Sequence, residues 1–170
     1  KEVKMRYKIV STVITLGILV ILIISGPANA FILGLSILDN ETQKGEVLSF
    51  TASVKIESGE ILDIDYLVLT LNGPINIKCK FDTNGNIIEN CEGFSIEQIS
   101  SAPYGYGYGY GFSEGNLTYN ITLNTSKYVA GTYSTEIKML VKERTFSQKG
   151  QEIVIKTVIE PMNSCSLRAE

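Results

Sequence analysis

The chain contains no histidine and no tryptophan. Without an imidazole there is no Ser-His triad, no Cys-His dyad and no histidine metal ligand, so the common nucleophilic and zinc chemistries are excluded. Cysteine is scarce, at three residues, and so few cannot complete a structural zinc site when histidine is missing. Long alanine- or leucine-rich stretches are missing as well, and no helical period appears after residue 30. Clustered positive charge is also missing from that part. Four of the 15 basic groups and one of the 18 acidic groups fall in residues 1–30, leaving 11 and 17 beyond, a net charge of −6. A mildly acidic domain without a basic patch does not make the phosphate contacts that nucleic acid requires, so no nucleic-acid partner is expected.

What is present divides into three parts. Lys1, Lys4, Arg6 and Lys8 precede an uncharged run from Ile9 to Ser25, followed by Gly26, Pro27 and Ala28-Asn29-Ala30. A basic region, an apolar run and a small-x-small site form the pattern of a secretory signal peptide over residues 1–30, cut after Ala30. Met5 opens a more conventional leader than Lys1 does. The alternative is a retained anchor crossing the membrane through residues 9–25, a run at the short edge of the ~17–25 residues that a span needs. Either way the basic end stays inside and the rest is extracellular or displayed at the cell surface. Residues 31–160 read as one β-domain, and residues 161–170 as a polar tail.

Within 31–160 the pattern is of short strands separated by turns. FILGLSI (31–37) is an apolar first strand, and 39–46 reads as a turn. In VLSFTASVKI (47–56), Leu48, Phe50, Ala52, Val54 and Ile56 alternate with polar residues, as in an antiparallel strand with one face on a core. Further strands are expected at 61–71, 75–81 with Ile75, Ile77, Cys79 and Phe81 inward, 94–100, 117–123, about 130–141 and 152–160. Asn84-Gly85 marks a hairpin, with NIIENC (86–91) returning the chain to Cys91. With about seven to nine such strands the expected fold is all-β, a single antiparallel β-sandwich behind the leader. The stretch AGTYSTEIKMLV at 130–141 resembles the penultimate strand of immunoglobulin-like surface modules, where a turn glycine precedes a tyrosine-led strand. An export leader, one such sandwich, a cysteine pair and tyrosine/glycine repeats are together similar to secreted proteins of small archaeal genomes, a resemblance that implies no activity. The Cys-Trp-Cys pattern of antibody domains is missing, so the likeness is architectural.

Several residues could carry function. Cys79 and Cys91 flank the expected hairpin at matching distances and can form a disulfide outside the cytoplasm. Cys165 is left over, as an unpaired thiol or an intermolecular partner. N-x-S/T sequons occur at Asn40, Asn116, Asn120 and Asn124. The last three share a parity that projects them from one strand face, either as glycan acceptors or as a plain polar face. Asp63 and Asp65 have strand spacing that puts them about 7 Å apart, which admits a small surface hydrolase. Its competitor is a solvated edge. Asp39, Glu41, Asp63, Asp65 and Asp82 could also supply oxygen ligands for calcium, although no D-x-D-x-D-G loop is present. No cofactor is implied, no metal site is assigned and the chain is expected not to be an enzyme.

The unusual feature is the alternation YGYGYGYGF from Tyr104 to Phe112, in a loop spanning 103–115. As one extended strand it would align Tyr104, Tyr106, Tyr108, Tyr110 and Phe112 on one face, an adhesive aromatic surface. Its bare glycine face would admit another backbone. The competing readings are a flexible loop tip and tyrosines folded back over the core edge. The functional expectation is therefore a non-catalytic structural or adhesive cell-surface module whose aromatic run contacts a surface glycan or protein, or another copy of the chain. The alternative is a subunit of an extracellular filament or surface layer, built by adding strand 31–37 to a neighbour's sheet edge.

Overall fold

Strict alternation of apolar and polar residues forces a strand to bury one face, and the 47–56 segment shows it fully: Leu48, Phe50, Ala52, Val54 and Ile56 are all at most 1% exposed. A computed structural model describes residues 31–106 and 110–157. The leader over 1–30, Tyr108, the end of the last expected strand and the polar tail with Cys165 lie outside the described residues.

In chain order the strands are β1 (Phe31–Ile37), β2 (Glu41–Gln43), β3 (Val47–Ile56), β4 (Ile64–Asn72), β5 (Asn76–Phe81), β6 (Ile87–Glu89) and β7 (Phe94–Ser100). They continue with β8 (Tyr104–Tyr106), β9 (Tyr110–Phe112), β10 (Gly115–Asn124), β11 (Gly131–Val141), β12 (Arg144–Lys149) and β13 (Ile153–Lys156). One sheet has the order β1-β3-β10-β7 and the other β2-β13-β11-β4-β5-β6, with β12 also pairing β11 and β8-β9 forming a separate ribbon. The fold is the expected all-β sandwich. The strand segments are more numerous than the seven to nine expected because short pieces at 41–43 and 144–149 also pair as strands, and the tyrosine/glycine run contributes two more.

The first segment changes sheets: β1 pairs antiparallel with β3, while β2 pairs parallel with β13. That switch and the two strand orders match an immunoglobulin-type sandwich. The core lies between the sheets. Phe81 of β5 and Tyr119 of β10 meet across it edge to face, with ring centroids 5.3 Å apart. The Tyr119 hydroxyl donates to the Thr83 carbonyl at 2.8 Å, so the phenol is satisfied although its residue is fully buried. The hairpin after β5 is held by Asp82, whose carboxylate accepts from the Asn84 and Asn86 backbone N–H groups and from Asn86 Nδ2. One inward assignment fails: Ile77, Cys79 and Phe81 are buried, but Ile75 is 38% exposed. It precedes β5 in the turn after Asn72-Gly73-Pro74 and is not held by the strand alternation.

Candidate functional site

The tyrosine/glycine run is a hairpin, not one extended strand. β8 and β9 pair antiparallel with Tyr104 opposite Phe112, Gly105 opposite Gly111 and Tyr106 opposite Tyr110. Its base is fixed to the body of the protein. Leu62 and Phe112 exchange both backbone hydrogen bonds, at 2.9 and 2.8 Å, and the Ser113 N–H donates to the Pro103 carbonyl at 2.9 Å. Gly111, at φ +147, lies so close to Leu62 that a Cβ would stand 2.6 Å from its carbonyl carbon and oxygen. The close backbone approach expected of the glycine face is thus made at Gly111 by the protein's own chain. Gly105, by contrast, faces open space.

The aromatic set also divides. Phe112 is 6% exposed and belongs to the core, so it drops out of the expected contact surface. Tyr104 is 57% exposed and leans on Phe112 edge to face at 4.8 Å. The reading in which tyrosines fold back over the core edge does not hold for Tyr104; the residue of the run that joins the core is Phe112. Tyr106 and Tyr110 are placed by register, and Tyr108 lies outside the described residues.

The sequon strand follows its expected parity. Leu117, Tyr119, Ile121 and Leu123 are fully buried, whereas Asn116 and Asn124 are exposed and Asn120 half-buried on the outer face of β10. Asn124 also caps a short 3-10 turn, its side chain accepting from the Ser126 N–H at 3.0 Å. Asn40 is exposed, but Thr42 of its sequon is buried and donates to the Glu46 carboxylate. Cys79 and Cys91 form the expected disulfide, with Cα atoms 4.4 Å apart.

The carboxylates are scattered. Asp65 is exposed and Asp63 half-buried, and neither lines either of the two clefts described for the domain. Asp82 serves its hairpin, and Glu41 pairs with Lys156. Among the described residues no three or more acidic or sulfur side chains converge on a point suited to a metal ion.

The larger cleft, of about 400 Å³, was not anticipated. It is lined by Ile75, Asn76, Lys78, Asn90, Glu92 and Tyr128 along one side of β5. The disulfide fixes its far wall through Cys91, between Asn90 and Glu92. The Tyr128 hydroxyl donates to the Glu92 carbonyl, and Lys127 pairs with the Glu92 carboxylate. Burial raises the Tyr128 hydroxyl pKa above its ordinary value, with the negative charge of Glu92 adding to the effect. No sequence pattern marks this cleft, because its residues come from three separated turns and a strand edge.

No family model matches the chain, and no curated protein matches it. Solved structures do. A family 123 glycoside hydrolase from Clostridium perfringens, studied for glycolipid glycan hydrolysis, aligns at TM-score 0.44 and 13% identity over 76% of this chain. The chain spans 28% of that hydrolase's length. AvmM, which catalyses macrocyclization in alchivemycin A biosynthesis, aligns at TM-score 0.43 and 7% identity, covering 79% of this chain and 93% of AvmM. At these values neither likeness bears on activity.

Proposed function

We propose that the chain is a non-catalytic extracellular module, displayed at the cell surface, that uses the tyrosine/glycine hairpin to contact a surface glycan or protein. The reading rests on one observation. The hairpin is clamped at its base by the reciprocal Leu62–Phe112 bonds and the Gly111 approach, yet it carries Tyr104 largely exposed. A preformed mount for amphipathic rings lowers the ordering cost of binding, and tyrosine supplies contact area with few rotatable bonds. The outer face of β10, with Asn116, Asn120 and Asn124, is the solvated side and the place for glycans. The disulfide is consistent with an oxidising compartment.

The test is binding to a glycan array and to surface-protein extracts by the full chain and by a variant with Tyr104, Tyr106, Tyr108 and Tyr110 replaced by serine. The glycines stay unchanged and so does Phe112, because the clamp needs Phe112 and Gly111. Loss of binding is expected, and undiminished binding would sink the reading.

The filament alternative asks β1 to serve a neighbour; β1 is paired with its own β3 at all seven residues and stands at the end of its sheet, so that contact would use its outer side. The hydrolase alternative draws no support from the two clefts described, since neither is lined by Asp63 or Asp65.

A further inference from the structure

The side of β5 away from β4 is only partly used. β6 pairs with β5 at Lys80 and Phe81 alone. Asn90, at φ 60, then directs the chain to Cys91. Among the described residues no backbone hydrogen bond reaches Asn76–Lys78 from that side. On the other side the same three residues pair with Thr70, Leu71 and Asn72 of β4, so the edge is held straight. A sheet edge of this kind presents unpaired N–H and C=O groups that template another strand.

Here the edge lies inside the 400 Å³ cleft, within the usual size range of ligand sites. Its charge is one-sided. Glu92 is neutralised by Lys127, Lys80 by Glu89, while among the described residues Lys78 has no carboxylate within ion-pair distance. Ile75 adds an exposed apolar wall at the start of the edge. Unpaired backbone supplies affinity for an extended chain, and the alternating side-chain sites beside it supply selectivity.

We propose that the open edge of β5 at Asn76–Lys78 docks an extended acidic peptide of a partner protein, which adds as a short strand and sets a carboxylate against Lys78. The site is separate from the tyrosine/glycine hairpin and does not depend on its role.

The test uses the full-length chain and an array of hexapeptides alternating an apolar residue with Glu, Asp, Ser or Lys. The Glu and Asp peptides are expected to bind, the Lys peptides not to. Lys78→Glu, at an exposed position, should weaken the acidic peptides at least tenfold without changing the thermal unfolding temperature. N-methylation of alternate backbone nitrogens in the best peptide should abolish binding, and bound peptide should slow hydrogen exchange at 76–78. The tyrosine-to-serine variant should bind these peptides as the parent does. Absence of any peptide binding that depends on Lys78 would overturn the proposal, as would retained binding after N-methylation. Protection of 76–78 by a glycan or by a second copy of the chain, with no peptide effect, would also overturn it.

Discussion

The Tyr133 hydroxyl donates to the Val129 carbonyl, four residues upstream, at 2.7 Å. Tyr133 is fully buried at the start of β11, and this bond ties the turn before the strand to the strand itself. It is the tyrosine corner of immunoglobulin-like sandwiches, formed by the tyrosine of the AGTY stretch. Tyr133→Phe keeps the ring and leaves a carbonyl without its donor. Chemical denaturation should show a loss of about 1–2 kcal/mol with an unchanged slope.

Gly111 and Gly105 lie opposite each other in the hairpin but answer differently to the same change. Gly111→Ala should cost about 1–3 kcal/mol from its backbone conformation alone, with the contact against Leu62 adding more. Gly105→Ala meets nothing within 4 Å and should be close to neutral. Hydrogen exchange at Leu62 and Phe112 separates the two, because only the first substitution should expose those amides.

The disulfide closes a loop with a sequence separation of 12, which on chain-entropy grounds contributes about 3 kcal/mol. A Cys79→Ala, Cys91→Ser double variant should unfold at correspondingly lower denaturant. Residues 90–92 should exchange faster, since Cys91 is what fixes the far wall of the β5 cleft. Unchanged exchange there would mean that the Tyr128 and Lys127 contacts to Glu92 hold the wall alone.

Burial raises the Tyr119, Tyr128 and Tyr133 hydroxyls above their ordinary pKa. In the unfolded chain each loses its proton near pH ~10, whereas the folded protein keeps it. Their contribution is therefore complete below pH ~10 and declines as the pH rises beyond it. Of the nine tyrosines, these three should ionise at higher pH than an exposed phenol does, which phenolate absorbance followed alongside circular dichroism can check directly.

Much of this architecture was legible because alternation is a local signal. β1, β3 and β7 begin and end at the residues where their patterns do, and the Asp82–Asn86 turn and the Cys79–Cys91 pair follow from turn chemistry and spacing. What stayed hidden was non-local. Glu41-Thr42-Gln43 looks like a turn and becomes β2 only by pairing with β13, over 100 residues away. Ile75 fits the inward parity of β5, yet it lies one residue before the strand and escapes it. The tyrosine/glycine run carries a strand period but no sign of where it reverses, and the fate of Phe112 was decided by Leu62, some fifty residues earlier. The β5 cleft depends on where β6 stops, which no residue pattern announces.

The parallel pairing of β2 with β13 matters most when the ends of the domain are pulled apart. The two segments lie side by side along Glu41–Gln43 and Val154–Lys156 and run in the same direction. They are joined by Val154 N–H to the Asn40 carbonyl and Lys44 N–H to the Lys156 carbonyl, each 2.8 Å. Tension applied through Phe31 and Thr157 acts along these strands in opposite senses, so the bonds between them are sheared together and not opened one at a time. The antiparallel β1–β3 contact, seven residues long, is loaded along its axis in the same pull. A domain strung between an attachment at its start and a partner beyond its end would yield abruptly at high force instead of unravelling gradually.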